Sequence, residues 1–224
     1  MKVKQLLLAI LCLAVIATCV VWTWRTQFAA PKFNVALHVG LGQVMAEETA
    51  RATHGTGKVV VVTLDPGAFP ELKVQMQQFK KVLVGHPGIS LKEYQLDTEE
   101  RPKFHYGAGL SSRRYVRMVN KNLAAAAFVS FVGAPDLTEK DVAELKASPK
   151  LIAECRSSDK LEPLFARKAI HTAVVGRFQY PTPIKGTPRT PREWVEQRFQ
   201  IVNAETAAAL SAAAGDTDAV PQTK

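Results

Sequence analysis

KVVVVTL at 58–64 and AAAAFVSFV at 124–132 decide the fold. Both runs are shorter than an ordinary helix, and the first is β-branched along most of its length. Such side chains suit a pleated strand. A strand with one wet face alternates apolar and polar residues, and these do not. Both faces must therefore be covered, which is the condition of a central strand in a parallel sheet flanked by helices.

The flanks supply those helices. Leu41, Val44, Met45, Glu48 and Ala52 have helical spacing over 40–53, and His54-Gly55-Thr56-Gly57 ends that helix. FNVALHV at 33–39 alternates in hydropathy and reads as a strand before it. After Asp65-Pro66-Gly67, residues Leu72, Val74, Met76, Phe79, Val82 and Leu83 predict a helix to about Val84. Ile89 to Leu96 is an alternating strand, so it belongs near an edge. Ser111 caps a helix to about Asn122, and Thr138 with Asp141 begins another that runs to about Ala147. Strands follow at 151–154 and 170–178, with a helix at 161–168 between them. The stretch from Tyr180 to Arg192 is Pro-rich and extended, and 193–209 reads as helical or mixed. Repeated strand–helix units imply a Rossmann-like α/β fold: a mostly parallel sheet, right-handed crossovers and helices on both faces.

The chain has 224 residues, room for one domain with extensions. Its formal net charge is +9, while 47% hydrophobic and 22% charged residues fit a globular domain. Three cysteines exclude a disulfide scaffold. Cys12 and Cys19 lie in the apolar amino end, and Cys155 reads as a small buried residue at a strand end.

Residues 5–24 carry no charge. Twenty helical residues span about 30 Å, the thickness of a bilayer core. Trp22, Trp24 and Arg25 close the run as interfacial residues, and Lys2 and Lys4 precede it. Three fates are open: a retained signal anchor, a signal peptide cleaved after Ala17, or a lipoprotein signal ending at Cys19. The apolar run continues past both cleavage candidates and favours the anchor. The expected order is a cytoplasmic amino end (1–4), a transmembrane signal anchor (5–24), a linker (25–32), an α/β lobe (33–180), a carboxy-terminal extension packed on the lobe (181–212) and a disordered tail (213–224). The lobe then faces the periplasm or cell exterior from a single-pass bacterial inner-membrane anchor.

Several stretches, in order, resemble one lobe of the type I periplasmic binding proteins, the sugar-binding and LacI-like superfamily. Gly42 to Ala46 and then Gly57 to Val62 resemble the family's first helix and its GKVVVI strand. Val74 to Val82 followed by Gly88-Ile89 resembles its next helix and PGI strand start. Ala124 to Asp136 resembles the strand that ends in an acidic turn on the ligand side, and Trp194 to Leu210 is similar to closing segments. The resemblance covers about residues 40–210. It implies binding without catalysis, in a cleft between two lobes, of which this chain has room for one. Lys73 and Met76 depart from the pattern, standing where many sugar binders carry Arg and Gly ahead of the helical Phe, here Phe79.

No catalytic constellation stands out. Gly57-Lys58 lacks the glycine and the hydroxyl residue of a phosphate loop, no Gly-x-Ser-x-Gly elbow occurs, and Tyr106-Gly-Ala-Gly109 follows a polar loop. His38, His54, His86, His105 and His171 have no metal-ligand spacing, and Glu99-Glu100 reads as a solvated loop pair. No enzyme, metal or cofactor is expected. Ligands of open parallel sheets sit beyond the carboxyl ends of the strands. Those loops hold Asp65, Asp136, Glu154, Arg156 and Arg177, with Phe178 and Tyr180. We take Asp65, Lys73, Asp136 and Arg177 as the candidate ligand- or partner-binding rim. Arg113, Arg117 and Lys121 make one helix face basic, either solvated or set against anionic headgroups. Nucleic acid is not expected outside the cytoplasm, and no aromatic residues are interleaved with that charge.

The leading expectation is a non-catalytic accessory subunit of a membrane assembly. The alternative is a sensor that binds a sugar or small polar ligand as a dimer, and a further one is an enzyme on a flavodoxin-like scaffold.

Overall fold

The computed structural model describes residues 3–27, 33–96, 110–156, 161–177 and 188–207. They form two compact units, divided between Phe33 and Asn34. The first contains α1 (Val3–Gln27), a 25-residue helix in which Leu7, Leu8, Leu11, Leu13, Trp22 and Trp24 are exposed. Among the described residues no helix is long and apolar enough to cross a membrane. The span expected over 5–24 is therefore not established by the fold.

The second unit begins with α2 (Val35–Thr53), continues through β1 (Thr56–Leu64), α3 (Pro70–Leu83), β2 (Gly88–Leu96), α4 (Ser112–Asn120), β3 (Ala125–Ser130), α5 (Glu139–Ala143), β4 (Lys150–Cys155), α6 (Leu161–Ala166) and β5 (Thr172–Gly176), and closes with α7 (Pro191–Arg198) and β6 (Phe199–Val202). The sheet order is β2-β1-β3-β4-β5-β6. Strands β1 to β5 are parallel, and β6 is antiparallel to β5.

The two unbroken apolar runs are the inner strands. Val59 and Val61 face a core shared with α2, α3 and α7, whereas Val60 and Val62 face one shared with α4 and α6. All four valines are at most 1% exposed, as expected for a strand covered on both sides. The alternating β2 is one of the two edge strands, largely exposed. Helix α4 buries Tyr115, Val116, Met118 and Val119, which turns Arg113, Arg117 and Lys121 to solvent.

Three expectations change. Residues 35–39 are helical, not a strand. The Asn34 carboxamide oxygen accepts from Leu37 N at 3.1 Å, and this cap starts α2 ahead of the glycines. Of the residues that recur with a period of two, Phe33 precedes the helix, and Val35, Leu37 and Val39 lie on its first turn and a half. Helix α5 stops at Ala143 rather than near Ala147, because Asn120 clamps the following chain, donating to Glu144 O (3.0 Å) and accepting from Lys146 N (2.8 Å). The segment 193–209 divides into α7 and β6, so part of the expected extension is a strand of the sheet. The expected tail at 213–224 lies outside the described residues.

Helix α2 is held between α3 and α7 by two glycines. A Cβ at Gly42 would fall on the Gln75 carbonyl oxygen, and one at Gly40 on the Pro191 carbonyl oxygen. Alanine normally favours a helix over glycine by about 1 kcal/mol. Here overlap with main-chain atoms of a neighbouring helix outweighs that gain, at a typical overpacking cost of about 1–3 kcal/mol. Gly42→Ala should therefore lower the melting temperature, and an unchanged or raised value in thermal denaturation would refute this packing. Val61→Asp places a charge in the core and should abolish cooperative folding.

Candidate functional site

The chain leaves β1 to form β2 on one side and β3 on the other. This reversal of strand order is where open α/β sheets bind ligands, outside the carboxyl ends. Asp65 directly follows β1 and is exposed. Its Oδ1 accepts from Gly67 N at 2.8 Å, and its carbonyl accepts from Ala68 N and Phe69 N. This tight turn holds the carboxylate at the head of α3. Lys73 lies exposed in the first turn of α3, its N–H donating to Phe69 O. Asp136 is exposed in the loop between β3 and α5, next to buried Leu137.

Arg177 follows β5 but faces a different task. Its Nε donates to Phe199 O at 3.0 Å and its backbone N–H to Arg198 O at 2.8 Å. The guanidinium thus fastens the start of β6 to the end of β5. The parallel sheet brings Asp65, Lys73 and Asp136 to its carboxyl edge at the reversal; Arg177 lies on the same edge, beyond β4, and is partly engaged. Phe178, Tyr180, Glu99, Glu100 and His105 lie outside the described residues.

Beneath this edge lies a polar cluster that the sequence reading did not assemble. Gln75 Nε2 is 3.0 Å from His38 Nδ1 and donates to Glu154 Oε1 at 3.4 Å. The three side chains come from α3, α2 and β4. Gln75 is 1% exposed. Glu154 as a residue is partly exposed, yet its Oε2 has no contact with solvent, and neither Glu154 Oε2 nor Gln75 Oε1 has a hydrogen-bond partner. Two signals were available in the sequence: a carboxylate inside the apolar run KLIAEC, and a glutamine on the apolar stripe of Leu72, Met76 and Phe79.

Burial pushes the Glu154 carboxyl up to about 7, against the opposing pull of the Gln75 amide and the Arg156 charge. Burial lowers His38, which Glu71 partly offsets. Burial also pushes the Cys155 thiol up to about 12, so it is protonated and unreactive at neutral pH. Among the described residues no group of three or more His, Cys, Asp or Glu side chains could hold a metal ion.

No family model matches the sequence, and no curated protein matches it. Solved structures do match. A solute-binding protein of an ABC transporter from Burkholderia graminis, in complex with D-arabinose, is 19% identical with a TM-score of 0.50, over 75% of this chain and 60% of its own. An arabinose-binding protein from Geobacillus stearothermophilus is 15% identical with a TM-score of 0.53, over 77% of this chain and 62% of its own. A sugar-binding protein of a sugar ABC transporter from Bacillus halodurans is 15% identical with a TM-score of 0.54, over 77% and 64%. The second unit thus has the fold of the periplasmic binding proteins of type I, and the resemblance seen in sequence holds at that level. The chain spans less than two thirds of the length of each of these proteins.

The Glu154 shift fixes a pH dependence. Its carboxyl is raised in the folded state above the ordinary 4.5, so the native protein binds more protons than the unfolded chain between about 4.5 and 7. Stability from this group falls as pH rises through that window, and the full cost is present above 7. Glu154→Gln removes it. The variant should match the parent near pH 4 and exceed it at pH 8, by at most about 3 kcal/mol. Urea denaturation at both pH values measures the difference, and an equal difference at the two values would contradict the assignment.

Proposed function

We propose that the lobe binds a small, hydroxyl-rich solute of the sugar class, without catalysis, at the carboxyl edge between β1 and β3. The observation that carries this reading is the reversal of strand order at β1, with Asp65 and Asp136 following the two strands that flank it. Exposed carboxylates accept paired hydrogen bonds from neighbouring hydroxyls, and Lys73 adds a donor beside them. The sugar-binding proteins of the same fold support the ligand class. Clefts bury most of a ligand's surface, so one lobe needs a second wall. A second copy or another subunit of a membrane assembly supplies it in this reading. Arg177 is assigned mainly to holding β6, and Arg113, Arg117 and Lys121 to a solvated face.

The anchor remains part of the proposal on the strength of its sequence. Residues 5–24 are uncharged and belong to one continuous helix, with Trp22 and Trp24 exposed at its end. The bilayer is then a partner through that segment, and the lobe lies outside the cytoplasm. Intact mass spectrometry of membrane-extracted protein should return a mass that includes residues 1–24. A mature terminus at Thr18 or Cys19 would exclude the anchor.

The ligand test is calorimetric titration of the full chain with pentoses, hexoses and polyols. The combined Asp65→Ala, Asp136→Ala variant should bind the responding sugar at least tenfold more weakly. Its stability should change by no more than about 0.5 kcal/mol, because both side chains are exposed. Sedimentation at saturating sugar should show association that is weaker without it. Unaltered affinity in the variant would move the site away from this edge.

A further inference from the structure

The opposite, amino edge of the sheet carries a cavity of about 740 Å³. It opens where β4 and β5 begin and where α2 and α6 end, with Lys150, Thr172, Arg51 and Lys168 in its lining. That volume lies in the range of small-molecule sites, about 300–1,000 Å³. Its floor includes Tyr115, Leu151, Phe165 and Ile170, all buried.

The charge around it is unbalanced. Four cations, Arg51, Lys150, Arg167 and Lys168, face two carboxylates, Glu48 and Glu205. Glu48 is already paired with Arg51 at 2.8 Å, and Arg167 Nη1 donates to Leu137 O at 2.9 Å. Lys150 and Lys168 make no ion pair among the described residues.

Cations at helix carboxyl ends have an ordinary cause, the negative end of the helix dipole. That cause covers Arg51 and Lys168. It does not cover Lys150 or His171, which stand before or at the start of strands. Nor does it explain the backbone of Lys168, which has φ 56°. The bonds Lys168 N to Phe165 O (2.9 Å) and Ala169 N to Leu164 O (2.8 Å) place it at the left-handed residue that closes α6. Glycine fits such a position without strain, whereas a lysine is strained there. His54 closes α2 in the same left-handed conformation, so what is particular to Lys168 is the charge it brings to the cavity mouth.

We propose that this cavity binds a small amphipathic anion, a phosphate or carboxylate carried on an apolar or aromatic body. The apolar floor takes the body, and Lys150 and Lys168 take the charge at the mouth. His171, beside Lys150, senses the occupant. Its imidazole is held below the ordinary value by burial and by the Lys150 charge, and a bound anion offsets that charge. The site shares no residue with the carboxyl-edge rim and stands independently of it.

Phenyl phosphate is the probe, titrated by calorimetry into the full chain held in an uncharged detergent, with phenol and inorganic phosphate as controls. Phenyl phosphate should bind at least tenfold more tightly than either control. Binding should weaken at least tenfold in the Lys150→Ala, Lys168→Gly variant, while glycine relieves the α6 closure and keeps the melting temperature at or above that of the parent. The His171 titration, followed by NMR, should move upward on binding. The Lys150→Arg variant should retain the affinity. Absence of phenyl phosphate binding, equal binding of phenol, or unaltered binding in the double variant would each overturn the proposal.

Discussion

Two glycines on α2 set how closely three helices approach one another, and the buried cluster beneath the carboxyl edge follows from that approach. Gly42 lets the α3 backbone at Gln75 come against α2, and Gly40 does the same for α7 at Pro191. No larger residue fits without moving a main-chain carbonyl. Because α3 is seated so deeply, the Gln75 side chain reaches both His38 on α2 and Glu154 on β4. Because α7 is seated as deeply, the chain enters β6 with no intervening loop, passing from Arg198 to Phe199 in one residue. The antiparallel edge of the sheet and the buried cluster beneath the carboxyl edge are thus consequences of one packing constraint.

The cluster is costly by ordinary standards. A buried carboxylate without full hydrogen bonding raises its own pKa until it is protonated, which is the cheaper of two unfavourable states. Glu154 is at that point near neutrality. Its Oε2 and the Gln75 Oε1 both lack partners. A proton on Glu154 adds a donor to a cluster with two unpartnered oxygens, so protonation and satisfaction of the network are coupled. The competing group is His38, whose lowered value makes acid unfavourable for its neutral ring. The two titrations oppose each other.

The sheet was legible in the sequence because strands buried on both faces have no period to confuse. The runs at 58–64 and 124–132 contain almost nothing polar, and only a central strand accepts that. Caps were legible where a hydroxyl or an acidic residue stood at the right spacing, as at Ser111 and at Thr138 with Asp141. The failures have equally physical causes. At 33–39 four apolar residues alternate by chance, and one asparagine cap decides for helix. At 198–199 helix passes to strand without a glycine or proline to mark it. The clamp by Asn120 that shortens α5 is a tertiary contact, invisible to local pattern. The rim residues were legible as an edge, because strand-end loops of parallel strands share one end. The role of Arg177 was not, because it depends on β6.

A parallel sheet has chemically distinct ends, and this chain uses the difference. Every crossover helix runs back from the carboxyl edge, so helix amino ends gather there and helix carboxyl ends gather opposite. Acidic groups are favoured at the first kind of end and basic groups at the second. Asp65 before α3 and Asp136 before α5 follow the first rule, and Arg51 and Lys168 follow the second. Helix α2 connects the two ends: 19 residues make it about 28 Å long, with His38 near its start and Arg51 near its close. Its glycines lie in the first half, so it is pinned nearer the carboxyl edge. The close contacts with α3 and α7 therefore lie nearer the carboxyl edge, while Glu48, Thr49 and Thr53 bury polar groups in the half that runs to the other edge.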